Sequence, residues 1–172
     1  IGGGLLTQSV LRNCGMRRFL LLLPICLGMY SAQRALFPST SHIEWPWAAP
    51  ENDWVKTFIW VRGNTPVNAY FALNPQHMRL KGEDQHGFRA IAERSMLADA
   101  VKDSGAASMF PALAETWRRQ VRMQAGWEHF QAQDFLRLKR EAGVDWIVLE
   151  GHGISGMTCP YHNQTLWVCR IE

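Results

Sequence analysis

The chain has 172 residues, 47% of them hydrophobic and 19% charged, with a formal charge of +3. Residues 1 to 37 hold four basic residues, Arg12, Arg17, Arg18 and Arg34, and no acidic one; setting these aside leaves 14 Lys and Arg against 15 Asp and Glu over the other 135 residues, a charge of −1. The basic balance therefore belongs to the amino-terminal segment, and it excludes a nucleic-acid partner, which requires Lys and Arg clustered on the folded part.

Residues 1–16 begin Ile-Gly-Gly-Gly-Leu-Leu, neither an initiator nor a typical leader, and read as a truncated upstream loop or the end of a preceding region. Arg17-Arg18 then introduces the apolar run Phe19 to Tyr30. Two readings compete. In one, Met16 starts a signal peptide that is cleaved near Tyr30-Ser31-Ala32. In the other, 17–37 is a transmembrane helix with Arg17-Arg18 on the cytoplasmic side. It reaches the roughly 20 residues of a span only by including Ser31, Gln33 and Arg34. Both readings carry the following residues across a bilayer. Residues 38–50, with Pro38, Pro46 and Pro50, read as a linker, in which Trp45 and Trp47 are either an interface anchor or core residues.

Residues 51–172 are enough for one domain and too few for two. Glu51-Asn52-Asp53 opens a helix carrying Trp54, Val55, Phe58, Ile59 and Val61, and Gly63-Asn64-Thr65-Pro66 ends it. Val67 to Leu73 predicts a buried strand, Phe88 to Arg94 a short helix and Ser95 to Ala98 a second strand. Leu113, Ala114, Trp117 and Val121 recur at helical spacing from Pro111 to Met123. Asp134 is placed to cap a further helix that Gly143 stops. Val144 to Leu149 is nearly continuous in hydrophobicity and belongs in the middle of a covered sheet. Leu166 to Ile171 alternates, which predicts a terminal strand near an edge. The alternation of helices and strands predicts a small three-layer α/β domain with a mostly parallel sheet, preceded by one N-terminal transmembrane helix.

Cys14 and Cys26 fall on the inner side or within the apolar run, whereas Cys159 and Cys169 fall in the exported part, where disulfides persist. A Cys159–Cys169 disulfide on adjoining strands is expected; the alternative is a buried Cys169 beside a loop thiol at Cys159.

Ten ionisable residues crowd the 23 positions from Lys81 to Asp103, which places the candidate site there rather than elsewhere. The loops after the first two predicted strands share the carboxyl edge of a parallel sheet, where α/β domains bind ligands. Arg89, Arg94 and Lys102 are expected to converge on a phosphate or carboxylate, with Asp84 and His86 on the rim in acid–base or metal roles. The competing reading is a solvated face or an internal ion-pair network. No metal-ligand spacing is present, so no metal and no cofactor is expected. The glycine-rich stretch Gly151 to Gly156 lacks the spacing of a phosphate loop. Asn163-Gln164-Thr165 formally matches a glycosylation acceptor. His129 reads as a packed or interfacial side chain.

Taken together, Gly63-Asn64-Thr65-Pro66, Gly82-Glu83-Asp84 with His86-Gly87-Phe88-Arg89, Ala92-Glu93-Arg94-Ser95, Lys102-Asp103-Ser104-Gly105 and Cys159-Pro160-Tyr161-His162-Asn163 resemble the C-terminal exported domain of large bacterial multi-spanning membrane proteins that look like GT-C-type glycosyltransferases. The resemblance covers about Trp54 to Ile171. It implies that 17–37 is the last span in a bacterial inner membrane and that 38–172 lies in the periplasm. It also implies an accessory role beside a transferase that uses a lipid-linked sugar donor. The partners would be the lipid bilayer, through 17–37, and a glycan or lipid-linked phosphate. No catalytic residue carries over, because such enzymes hold theirs between earlier membrane helices. The alternative is a non-catalytic secreted or membrane-anchored structural or protein-interaction module. A freestanding catalytic domain ranks third, with no nucleophile–base pair to carry it.

Overall fold

The computed structural model describes residues 16–36, 49–79 and 87–172. The chain divides into two compact units, Ile1–Ile43 and Glu44–Glu172.

The first unit contains helix α1 (Met16–Leu36), with Pro24 inside it. Leu22, Leu23, Ile25, Leu27 and Met29 are all at least half exposed, so the apolar residues form no one-sided stripe. Among the described residues no helix is long and apolar enough to cross a membrane. The uninterrupted run from Phe19 to Tyr30 rises only about 18 Å, against a hydrocarbon core of about 30 Å. The span expected over 17–37 thus has its helix without the apolar length.

The second unit is an α/β domain. Its elements are α2 (Asp53–Asn64), β1 (Tyr70–Ala72), a 3-10 turn (His77–Arg79), α3 (Phe88–Ala92), β2 (Ser95–Met96), α4 (Lys102–Met109), α5 (Pro111–Met123), a second 3-10 turn (Trp127–His129), α6 (Ala132–Ala142), β3 (Trp146–Glu150), β4 (Thr158–His162) and β5 (Leu166–Arg170). The Asn52 side chain caps α2 by accepting from Trp54 N at 2.8 Å and Val55 N at 3.3 Å. At α6 the cap is Gln131, and Asp134 acts from the third helical position by accepting from the Gln131 N–H at 3.0 Å. Gly143, at φ 74°, ends α6 as its pattern predicts.

The five strands run in the order β2-β1-β3-β5-β4. β1 pairs in parallel with β2 (Phe71 opposite Met96) and with β3 (Ala72 opposite Ile147). β5 is antiparallel to β3 (Val148 opposite Val168) and to β4 (Tyr161 opposite Val168). The sheet is therefore evenly mixed, which corrects the expectation of a mostly parallel one. Parallel neighbours need a crossover of a dozen residues or more, and the segments from β1 to β2 and from β2 to β3 supply it. Residues 163–165 between β4 and β5 permit only a hairpin. β5 is also not at the edge: β4 takes that place, with Pro160 where a missing ladder donor is tolerated.

Side-chain alternation across the sheet builds two cores. On one face Trp54, Phe58 and Val61 of α2 and Phe88 of α3 pack with Phe71, Val148 and Val168. On the other, Trp127 and the α6 residues Phe135 and Leu138 pack with Ala72, Ile147 and Cys169. Each fully buried side chain of this kind contributes about 1.5–3 kcal/mol. A disulfide joins Cys159 of β4 to Cys169 of β5.

Candidate functional site

The carboxyl ends of β1, β2 and β3 lie on one edge, and the chain leaving each brings a titratable group there. After β1, Asn74 opens the turn holding His77. The His77 N–H donates to the Asn74 carbonyl at 2.9 Å, and ring Nδ1 lies 3.0 Å from the same oxygen. The imidazole is completely buried and stacks on Trp54 with centroids 5.8 Å apart. After β2, Asp99 starts α4 by accepting from the backbone N–H groups of Val101 and Lys102. Asp99 Oδ2 lies 3.8 Å from His77 Nδ1, beyond hydrogen-bond range.

Burial pushes the His77 pKa down, opposed chiefly by the Asp99 charge. The close contact with Asp99 has the geometry of an ion pair, but desolvation dominates and the ring is neutral at pH 7. Nδ1 then carries the proton given to Asn74, and Nε2 is a buried acceptor with no partner among the described residues.

Two of the sequence-predicted cations reach this edge. Arg89 donates to Asp103 Oδ1 at 2.8 Å and to the Met96 carbonyl at 3.0 Å, where β2 ends. Asp103 also accepts from the Asp99 N–H at 2.8 Å, joining Arg89 to the turn beside His77. Lys102 Nζ lies 3.0 Å from where a Cβ would sit on Gly87, whose φ of 78° already favours glycine.

Arg94 does not join them. It precedes β2, at the opposite edge, and is 8% exposed. Its guanidinium donates to the carbonyls of Arg62 and Thr65, each at 2.7 Å, and of Glu93 at 3.0 Å, closing the carboxyl end of α2. Of the convergence expected of Arg89, Arg94 and Lys102, Arg89 and Lys102 share one edge, with Arg89 engaged by Asp103 and the end of β2, while Arg94 braces backbone at the other. Asp84 and His86 lie outside the described residues.

The third strand contributes Glu150, the last residue of β3. Burial raises its pKa, with a hydrogen bond from Asn74 opposing and the Glu128 charge adding to the rise. Its Oε1 is buried without a partner among the described residues. Glu150 lines a cavity of about 250 Å3 together with Trp127, Glu128, Phe130, Leu149 and His152. Such a cavity offers aromatic walls, a carboxyl group whose pKa burial raises, and a neighbouring histidine. Among the described residues no group of three or more His, Cys, Asp or Glu is arranged to hold a metal ion.

His77, Asn74 and Glu150 escaped the sequence reading because none belongs to a motif or charge cluster that marks it in sequence. For Glu150 a signal existed: it directly follows the most apolar predicted strand, and so falls on the binding edge. The loop Gly151 to Gly156 leans over the disulfide, since a Cβ on Gly153 would meet Trp167 at 3.0 Å and Cys159 Sγ at 3.2 Å.

Together these features define the class: a disulfide-bonded, mixed-sheet α/β domain with a polar pocket at its carboxyl edge. No family model matches the chain, and no curated protein matches it in sequence.

Proposed function

We propose that the Glu44–Glu172 unit is an exported accessory domain, anchored to a bacterial inner membrane through the segment containing α1, that binds a glycan or lipid-linked phosphate in the periplasm. The observation that carries this reading is the Cys159–Cys169 disulfide. Disulfides persist outside the cytoplasm and are rare within it. The exposed apolar residues around α1 add support, since a helix apolar on all sides is ordinarily covered by protein or lipid. The pocket at Glu150 supplies a place for the sugar. The resemblance to the exported end of GT-C-like proteins makes the domain an accessory to transfer from a lipid-linked donor, without catalytic residues of its own.

Fusion of alkaline phosphatase after Glu172 tests the compartment. Phosphatase activity is the expected result; an inactive fusion alongside an active cytoplasmic reporter at the same position would sink the reading. Exchanging Arg17 and Arg18 for Glu should weaken the orientation.

A second reading, a non-catalytic protein-interaction module, is favoured by the corner between α4 and α5. Met109, Phe110 and Leu113 are all more than half exposed there. Loss of a co-purifying protein on Phe110→Ser with no change in glycan binding would select it.

A further inference from the structure

The groove between α5 and α6 is a cavity of about 310 Å3 lined by Arg119 and Arg122 from α5, Arg137 from α6, Met123 and Glu141. Three guanidinium groups therefore face one carboxylate. Arg119 and Arg122 are one helical turn apart, on the same side of α5, and enter no ion pair among the described residues. Arg137 reaches Asp134 Oδ1 at 3.5 Å, but the other oxygen of that carboxylate is engaged with the Gln131 N–H at the start of α6. The local charge is left positive, in a domain whose overall balance is not.

The groove is held in shape. The Arg137 guanidinium lies over the Phe130 ring, 5.9 Å from its centroid, and Phe130 itself packs edge-on against buried Phe135 at 5.4 Å. One cation is thereby fixed by the core, while the two on α5 sit on a continuous helix. Like charges gathered in one concavity repel, and an anion with several oxygens relieves that repulsion while accepting from more than one guanidinium fork.

We propose that Arg119, Arg122 and Arg137 form a binding site for a phosphate-class anion. A phosphate or diphosphate matches three planar donors better than a lone carboxylate does, because it offers more oxygens and more charge. Phe130 also lines the cavity at Glu150, so the Phe130–Arg137 contact joins a lining residue of one cavity to a lining residue of the other. A phosphoester held by the arginines would present its organic part towards the aromatic and carboxyl groups of that second cavity. This orientation of the organic part rests on the proposed glycan reading, whereas the phosphate contact stands on the groove alone.

The test is calorimetric titration of the full chain, in neutral detergent at low ionic strength, with inorganic pyrophosphate. Saturable binding at one site is expected, weakened about tenfold or more by the double variant R119Q/R122Q. Arg118 is exposed on the same helix but outside the groove, and R118Q should leave the affinity within about twofold. R122K keeps the charge without the planar fork and should bind more tightly than R119Q/R122Q but less tightly than the parent, at unchanged melting temperature. Absence of saturable binding, or equal weakening by R118Q and R119Q/R122Q, would overturn the proposal. Competition by mixed micelles containing phosphatidylglycerol and not phosphatidylcholine assigns the anion to a lipid headgroup; no competition by either assigns it to a soluble phosphate. The fusion experiment reads compartment and this titration reads the groove, so either reading can fail without the other.

Discussion

Asn163 donates its side-chain amide to the carbonyl oxygen of Asp53 at 2.9 Å, across 110 positions of sequence. The same amide reaches Thr57 Oγ1 at 2.9 Å, while Asn163 Oδ1 accepts from the N–H groups of Thr165 at 3.0 Å and Leu166 at 2.8 Å. One side chain thus shapes the hairpin turn and ties it to the first turn of α2. Asn163→Ala should cost about 2–3 kcal/mol, since hydrogen bonds contribute about 0.5–1.5 kcal/mol each and buried partners are left unpaired. Urea denaturation gives the number directly. A loss below about 0.5 kcal/mol would show that the turn holds its shape unaided.

Arg94 is a brace for α2, so its replacement should be read in stability and not in ligand affinity. Arg94→Met is expected to destabilise by about 3 kcal/mol or more, because several carbonyl acceptors lose a charged donor together. Arg94→Lys should recover only part, having no planar fork to span Arg62, Thr65 and Glu93. Unchanged melting with lost ligand binding would return Arg94 to the site.

His77 and Glu150 set opposite acid responses. The His77 pKa is depressed from its ordinary 6.5, so as pH falls below that value the unfolded chain takes up a proton that the folded one resists, and stability declines. His77→Phe should flatten this decline in melting temperature below pH 6.5. The Glu150 pKa is raised from 4.5, so its contribution is lost as pH climbs past 4.5 and the buried carboxyl ionises. Glu150→Gln should therefore melt higher than the parent at neutral pH, with the difference closing as pH falls towards 4.5. A constant difference at every pH would mean that packing, not ionisation, separates the two proteins.

Reduction of the Cys159–Cys169 bond should lower stability by about 2–3 kcal/mol, the value of a short closed loop in the chain-entropy model. Non-reducing peptide mass spectrometry of periplasmically expressed protein should recover the crosslinked pair. Two alkylatable thiols there would argue against the compartment as well as the bond.

Helices α5 and α6 were legible because their apolar spacing, Pro111 and Gly143 all point the same way. β3 was legible because few other segments are so continuously apolar. β4 was not: Thr158-Cys-Pro-Tyr-His carries a proline and polar residues, as an exposed edge strand must, and its identity is decided by pairing with β5. That pairing also moved β5 inward from the edge that its alternation implied. At the site, the charge between Lys81 and Asp103 includes cations that the fold itself engages, Arg89 with Asp103 and Arg94 with the backbone carbonyls of Arg62 and Thr65. The groups whose ionisation the fold alters, His77 and Glu150, stand alone in sequence and become distinctive only when the sheet edge gathers them. His129, expected to be packed or interfacial, is 87% exposed at its side chain and so is not packed, because the 3-10 turn spends its inward position on Trp127.

The placement of β5 between β3 and β4 bears on the order of events during biogenesis. Sheet closure requires residues 166–170 to enter a gap flanked by strands that precede them in the chain. Until that segment has been delivered, β3 lacks one neighbour, both cores lack a wall, and Cys159 lacks its partner. Residues emerging in chain order would therefore leave the sheet open until 166–170 had appeared. Sheet closure and pairing of the two cysteines would then come together as a single late event.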